Sequence, residues 1–132
     1  MPGETNLSTL IRSMQPILAE NEYVFCTRND SDRAKISIIP IFEFREVEGI
    51  TCVMLRAEAE SAKIPYIYPC RMITLNIHSS LEAIGFLAAI TTELAAHRIS
   101  VNPVSAYYHD HLFIPTDRAA DAVKILINLA KL

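Results

Sequence analysis

The chain offers little obvious chemistry: four histidines, three cysteines, and hydroxyls and carboxylates spread along 132 residues. The tightest grouping is His109-Asp110-His111. Alternate residues of a strand share a face, so His109 and His111 would present two imidazoles to a metal if the strand reaches both. A third ligand would then come from His78, His97 or Asp110. The same residues read equally as a hairpin end with satisfied imidazoles, and the pair splits if His109 lies in the turn. A second grouping is Ser79-Ser80, with Glu82 three residues after Ser79, which is capping-box spacing. A helix starting there would expose backbone amides and the positive end of its dipole, where a carboxylate or phosphate is favoured. Glu82 would compete for that position. Gly85 lies one turn on and costs about 1 kcal/mol against Ala inside a helix. Close approach of a ligand, of a partner backbone or of a packed sheet would account for it. Asn102 is polar within an apolar strand, and a buried amide must find partners in a ligand or in neighbouring backbone. Pro103 removes a ladder donor and marks an edge or a bulge, and an edge invites pairing with a second subunit.

Other chemistry is absent from the sequence. Cys26, Cys52 and Cys70 are odd in number and scattered, without CxxC spacing, so they read as reduced, buried thiols in strands. No Gly-rich phosphate loop and no GxSxG elbow occurs. Ser105 near His109 or His111, and Cys70 near His78, form no ordered triad. Glu58 and Glu60 read as members of a solvated helix. Catalysis is not expected, and neither is a cofactor.

The elements that would position these groups follow from periodicity. Leu7, Leu10, Ile11 and Met14 make one helical stripe, capped by Thr5 or Asn6 and ended by Pro16. Residues 22–28 read as a strand, 29–32 as a turn, 35–45 as one bent strand or two short ones, 50–56 as a strand and 57–63 as a short helix. Residues 64–69, with two prolines, are the candidate linker. Then come a strand at 71–78 and a helix at 79–97, with Leu81, Ile84, Leu87, Thr91 and Leu94 on one stripe and Phe86 and Ile90 on a second face. Strands follow at 99–106 and 111–114, separated by a turn at 107–110, and a last helix opens at Pro115-Thr116. Each half therefore holds most of a βαββαβ unit, which gives an α+β class.

Hydrophobic residues are 51% and charged residues 20%, so a core is available and some apolar surface is left for a subunit interface. The net charge is −3 with no basic patch, which argues against nucleic acid. The N-terminal residues lack a secretory pattern and no apolar run reaches spanning length, so a cytoplasmic protein with no membrane partner is expected.

Residues 73–115, ITLNIHSSLEAIGFLAAITTELAAHRISVNPVSAYYHDHLFIP, resemble an ACT domain, a ligand-binding module of amino-acid metabolism. The strings MQPILAENEYVFCT and YYHDHLFIP are similar to a bacterial family of short stand-alone ACT proteins over nearly the whole chain. The resemblance implies a ferredoxin-like sandwich of two fused βαββαβ-type units, residues 1–68 and 69–132, with antiparallel sheets and helices on one face. It implies a homo-oligomer, a dimer in the simplest case, and an effector site between the loop after the first ACT strand and a neighbouring unit. That loop is His78, Ser79, Ser80 and Leu81 with Gly85 after it, and the next strand adds Asn102, Pro103 and Val104. HSSLEAIG stands where the family usually carries Gly or Pro-Gly. The expected function is a regulatory module that binds an amino acid or a related metabolite. The alternatives are a metal-dependent or His/Asp enzyme using His109, Asp110, His111 and His78, and a ligand-free interaction module.

Overall fold

The computed structural model describes residues 3–132. In chain order the elements are α1 (Leu7–Ser13), β1 (Pro16–Arg28), α2 (Asp30–Lys35), β2 (Phe42–Arg45), β3 (Ile50–Leu55), α3 (Arg56–Ser61), β4 (Ile67–Leu75), α4 (Phe86–Ala96), β5 (Asn102–Ser105), β6 (Asp110–Pro115), a 3-10 turn Thr116–Arg118, and α5 (Ala119–Ala130). The hydrogen-bonded strand order is β2-β3-β1-β4-β6-β5.

Two compact units divide the chain, and they do not follow it sequentially. One contains residues 21–70; the other contains residues 3–20 with 71–132. Residues 21–70 run strand, helix, strand, strand, helix, strand, in the order β2-β3-β1-β4. That is a complete ferredoxin-like unit. Its antiparallel ladder runs from Tyr23 opposite Leu55 to Arg28 opposite Ile50. Its small core is Val24, Cys26, Ile50, Cys52, Met54 and Ala59. In the other unit the order is β1-β4-β6-β5, with the first stretch of β1 beside the second stretch of β4. Ile73 and Leu75 on β4 and Leu112 and Ile114 on β6 alternate toward Phe86, Ile90 and Leu94 of α4 and Ala122 and Leu126 of α5. The class is α+β and each unit has a ferredoxin-like fold.

Local chemistry explains most boundaries. Asn6 caps α1, its Oδ1 accepting from the Thr9 amide at 3.0 Å. Pro16 then opens β1, where its missing N–H does least harm. Seven residues are too few for a stable isolated helix, so α1 depends on the fully buried Leu10. The expected turn at 29–32 is instead the start of α2, because Asn29 and Asp32 form a reciprocal capping box. Of residues 35–45, only Phe42–Arg45 form a strand. The linker expected at 64–69 stops short, since β4 takes over at Ile67. Cys26, Cys52 and Cys70 are free and buried in strands. Burial pushes the Cys70 thiol up to about 12, with Glu22 adding to the effect. Among the described residues, no helix is long and apolar enough to cross a membrane.

The largest departure concerns the long second-half helix. It begins at Phe86, seven residues later than the Ser79-Glu82 pattern predicts. Gly85 is its N-cap, at φ +89°, a left-handed conformation natural to glycine. Leu81 and Ile84, expected on the buried stripe, lie outside the helix and are 67% and 86% exposed. Leu94 is fully buried. Leu94→Ala is therefore expected to cost about 3 kcal/mol in urea unfolding, and Leu81→Ala less than about 0.5 kcal/mol. Gly85→Ala should cost about 1–2 kcal/mol, because alanine resists the left-handed region.

Candidate ligand-binding site

The loop from His78 to Gly85 is shaped by the N-terminal segment. The Glu4 amide donates to the His78 carbonyl at 2.8 Å, and the Ser80 amide donates to the Glu4 carbonyl at 2.9 Å. Glu4 and Ser79 thus form an isolated parallel bridge. A Cβ on Gly3 would sit 2.5 Å from the Ser79 carbonyl carbon and the Ser80 nitrogen, so only glycine permits this approach. The bridge explains why Ser79 is not a helix cap: its backbone is already held extended, and the Ser80 amide is already used. Beyond it the chain turns, with the Ala83 amide donating to the Ser80 carbonyl at 3.0 Å and the Glu82 amide donating to Ser80 Oγ at 3.0 Å. The free helix amides are those of Phe86, Leu87 and Ala88, which have no acceptor inside α4.

A cavity of ≈ 190 Å³ opens against this loop. Ser79, Ser80, Leu81 and Ala83 line it from the loop, Phe86 and Leu87 from the start of α4, and Ser105, Ala106 and Asp110 from the β5–β6 hairpin. Asp110 is 8% exposed and forms the polar wall. Its Oδ1 accepts from Ser105 Oγ at 2.6 Å and its Oδ2 from Ser79 Oγ at 3.4 Å. The hairpin register, with Ser105 opposite Asp110, makes the first contact, and folding of the loop brings Ser79 to the second.

The structure gathers Ser79, Ser80 and Leu81 at this cavity, with Gly85 beside it as the cap of α4. It does not bring Asn102, Pro103 and Val104 there. Those three lie on β5, the last strand in the order, and Asn102 and Pro103 are exposed. Asn102 is thus not the buried amide considered from sequence. His78 stacks at a tilt on Tyr108, ring centroids 5.3 Å apart, and Tyr108 meets Tyr107 at 4.9 Å. Ser105 and Asp110 are the residues whose role sequence reasoning missed. Their pairing closes a turn over residues 106–109, one residue earlier than the turn expected at 107–110.

His109 lies in the turn and His111 inside β6. His109 Nδ1 sits 3.1 Å from the Ile77 carbonyl oxygen, a contact that requires the proton on that nitrogen. His111 Nδ1 is 2.9 Å from Thr74 Oγ1. The two rings are 6.3 Å apart and nearly perpendicular. Among the described residues, no three His, Cys, Asp or Glu side chains are gathered for a metal.

Two ACT domain family models match the sequence, one over residues 2–71 and one over residues 67–128. The chain belongs to the ACT-domain family. An ACT protein is, in general terms, a regulatory ligand-binding module. A solved structure from Vibrio cholerae, described as a protein of unknown function and possible transport protein, is 41% identical, with 94% of this chain and 95% of that one covered at a TM-score of 0.82. An Agrobacterium tumefaciens protein shares the fold at 14% identity, 89% coverage of each chain and a TM-score of 0.70. So does the regulatory subunit of aspartate kinase from Thermus flavus, at 10% identity, 87% and 96% coverage and a TM-score of 0.66. No curated protein matches the chain.

Burial lowers the pKa of His111 from its ordinary 6.5, nearby His109 lowers it further, and Asp110 opposes both. The neutral ring is therefore favoured in the folded ACT protein. Below the unfolded pKa the unfolded chain binds more protons, so this contribution is present above about pH 6.5 and is lost as pH falls through the lowered folded value. Nuclear magnetic resonance should find His111 titrating below free histidine. His111→Gln should flatten that part of the stability–pH curve.

Proposed function

We propose that this ACT protein is not an enzyme but a regulatory module that senses an amino acid or a close relative, acting as a cytoplasmic homodimer. The observation that carries the reading is the cavity between the 78–85 loop, the start of α4 and the buried Asp110. Its walls carry opposite electrostatics. The free amides and dipole of α4 favour a carboxylate. The Asp110 carboxylate favours an ammonium, and the Ser79 and Ser80 hydroxyls can donate or accept between the two. An α-amino acid carries both charges on one small frame. The size agrees: ≈ 190 Å³ is below the roughly 300–1,000 Å³ of sites for drug-sized ligands.

On this reading residues 1–68 and 69–132 are the two ACT repeats of the sequence, and the ligand sits on the second. His78, Ser79, Ser80, Leu81 and Gly85 form the ligand loop. Asn102, Pro103 and Val104, on the exposed strand β5, form the edge offered to a second copy, so that effector binding and subunit pairing influence each other. The fold shared with aspartate kinase regulatory subunits supports a regulatory role over a catalytic one.

Individual amino acids should be screened by thermal shift on the full chain. One of them is expected to stabilise it, by about 2.7 kcal/mol at a hundredfold excess over Kd. Asp110→Asn should weaken that ligand about tenfold to a hundredfold, the worth of a buried charged hydrogen bond, while Ser105→Ala tests how far the Asp110 orientation matters. Failure of every amino acid to stabilise the protein at millimolar concentration would remove the reading.

A further inference from the structure

Residues 21–70 contain a second concavity with the opposite polarity. It measures ≈ 190 Å³, and its charged lining is Arg28, Lys35, Lys63 and Asp32. Three cations meet here on a chain whose net charge is −3. Asp32, whose Oδ2 accepts from the Asn29 amide at 3.3 Å as part of the α2 cap, offsets one of the three and leaves a local excess of positive charge. Among the described residues, none of the three cations lies within ion-pair distance of a carboxylate. The contrast with their neighbours is sharp: Arg33 pairs with Glu43 at 2.8 Å and Arg45 with Asp30 at 3.3 Å.

Arg28 is the built part of this pocket. It is 5% exposed, and its Nη2 donates to the Asp32 carbonyl at 2.9 Å and the Ile36 carbonyl at 2.8 Å. The guanidinium is thereby fixed against the end of α2 and withdrawn from water. A charge so placed acts more strongly on a nearby anion than an exposed one does. Lys63 stands just after α3 at φ +56°, a position where glycine or asparagine is usual. Lys63 and Lys35 are both exposed at this concavity.

We infer that this pocket binds a compact oxyanion of at least two negative charges, a phosphate or a small dicarboxylate. Each of the two ACT-type units would then take a ligand of different chemistry: a zwitterion at Asp110, a polyanion at Arg28. The ≈ 190 Å³ of the cavity suits the anionic group itself or a short carbon frame bearing it.

The test is calorimetric titration of the full chain with inorganic phosphate and, separately, with succinate, at fixed ionic strength and with chloride as the control. The expected result is saturable binding of one of the two anions, weakened roughly tenfold or more in the double variant Lys35→Ala/Lys63→Ala and progressively weakened by added salt. Both lysines are exposed, so the variant should keep the wild-type Tm. Asp110→Asn should leave this binding unchanged, which separates the fate of this site from that of the amino-acid site. Preference for phosphate or for succinate identifies the ligand class. Absence of binding of both at tens of millimolar, binding unaltered in the double variant, or equal binding of chloride would each overturn the assignment.

Discussion

β1 runs unbroken from Pro16 to Arg28, and β4 from Ile67 to Leu75. Each gives one stretch to either compact unit, so two βαββαβ-type cores are built around a shared pair of strands. This economy constrains the rest. Side chains of a strand point alternately to its two faces, so a slip of one residue in this part of β1 would turn Val24 and Cys26 out of the core of residues 21–70. The register from Tyr23–Leu55 to Arg28–Ile50 is therefore held by Val24 and Cys26 entering one core, while Leu18 packs against the other.

The 78–85 loop depends on the N-terminal segment. Because β1 begins in the same unit as β4, residues 3–14 stay beside it, and Glu4 reaches the backbone of His78 and Ser80. Leu10 and Met14 anchor the segment in the core. The loop is thus held from one side by Glu4, far earlier in the sequence, and from the other by Ser79 Oγ on Asp110. A loop fixed on both sides presents preorganised groups and loses little freedom when a ligand arrives.

The two units also differ in electrostatic character for reasons visible in their neighbours. In residues 21–70 most arginines are matched by carboxylates, yet Arg28 spends its donors on the backbone carbonyls that end α2. A cation used to close a helix remains a cation, and the field it leaves is not cancelled. In the other unit the buried charge is a carboxylate held by two hydroxyls, which orient it without neutralising it. Similar folds therefore bury opposite charges, Arg28 in one and Asp110 in the other.

Much of this was legible along the chain. The stripe of Leu7, Leu10 and Met14, the cap at Asn6, the breaker at Pro16, the apolar strands around Cys26, Cys52 and Ile73, and the edge strand at Pro103 all follow from local periodicity and turn chemistry. So does the ACT resemblance, which rests on the string from Ile73 to Pro115. The start of α4 was misplaced because Ser79 and Glu82 have cap spacing, and spacing carries no information about a competitor. Glu4 is that competitor: it takes the Ser80 amide into a bridge, and the helix begins only after Gly85, which adopts the left-handed conformation at little cost. The exposure of Asn102, the meeting of Ser79 with Asp110 and the crowding of Arg28, Lys35 and Lys63 belong to the tertiary structure alone. Local sequence determines which conformations a segment can adopt cheaply; contacts between distant segments decide which polar groups end up facing the same cavity.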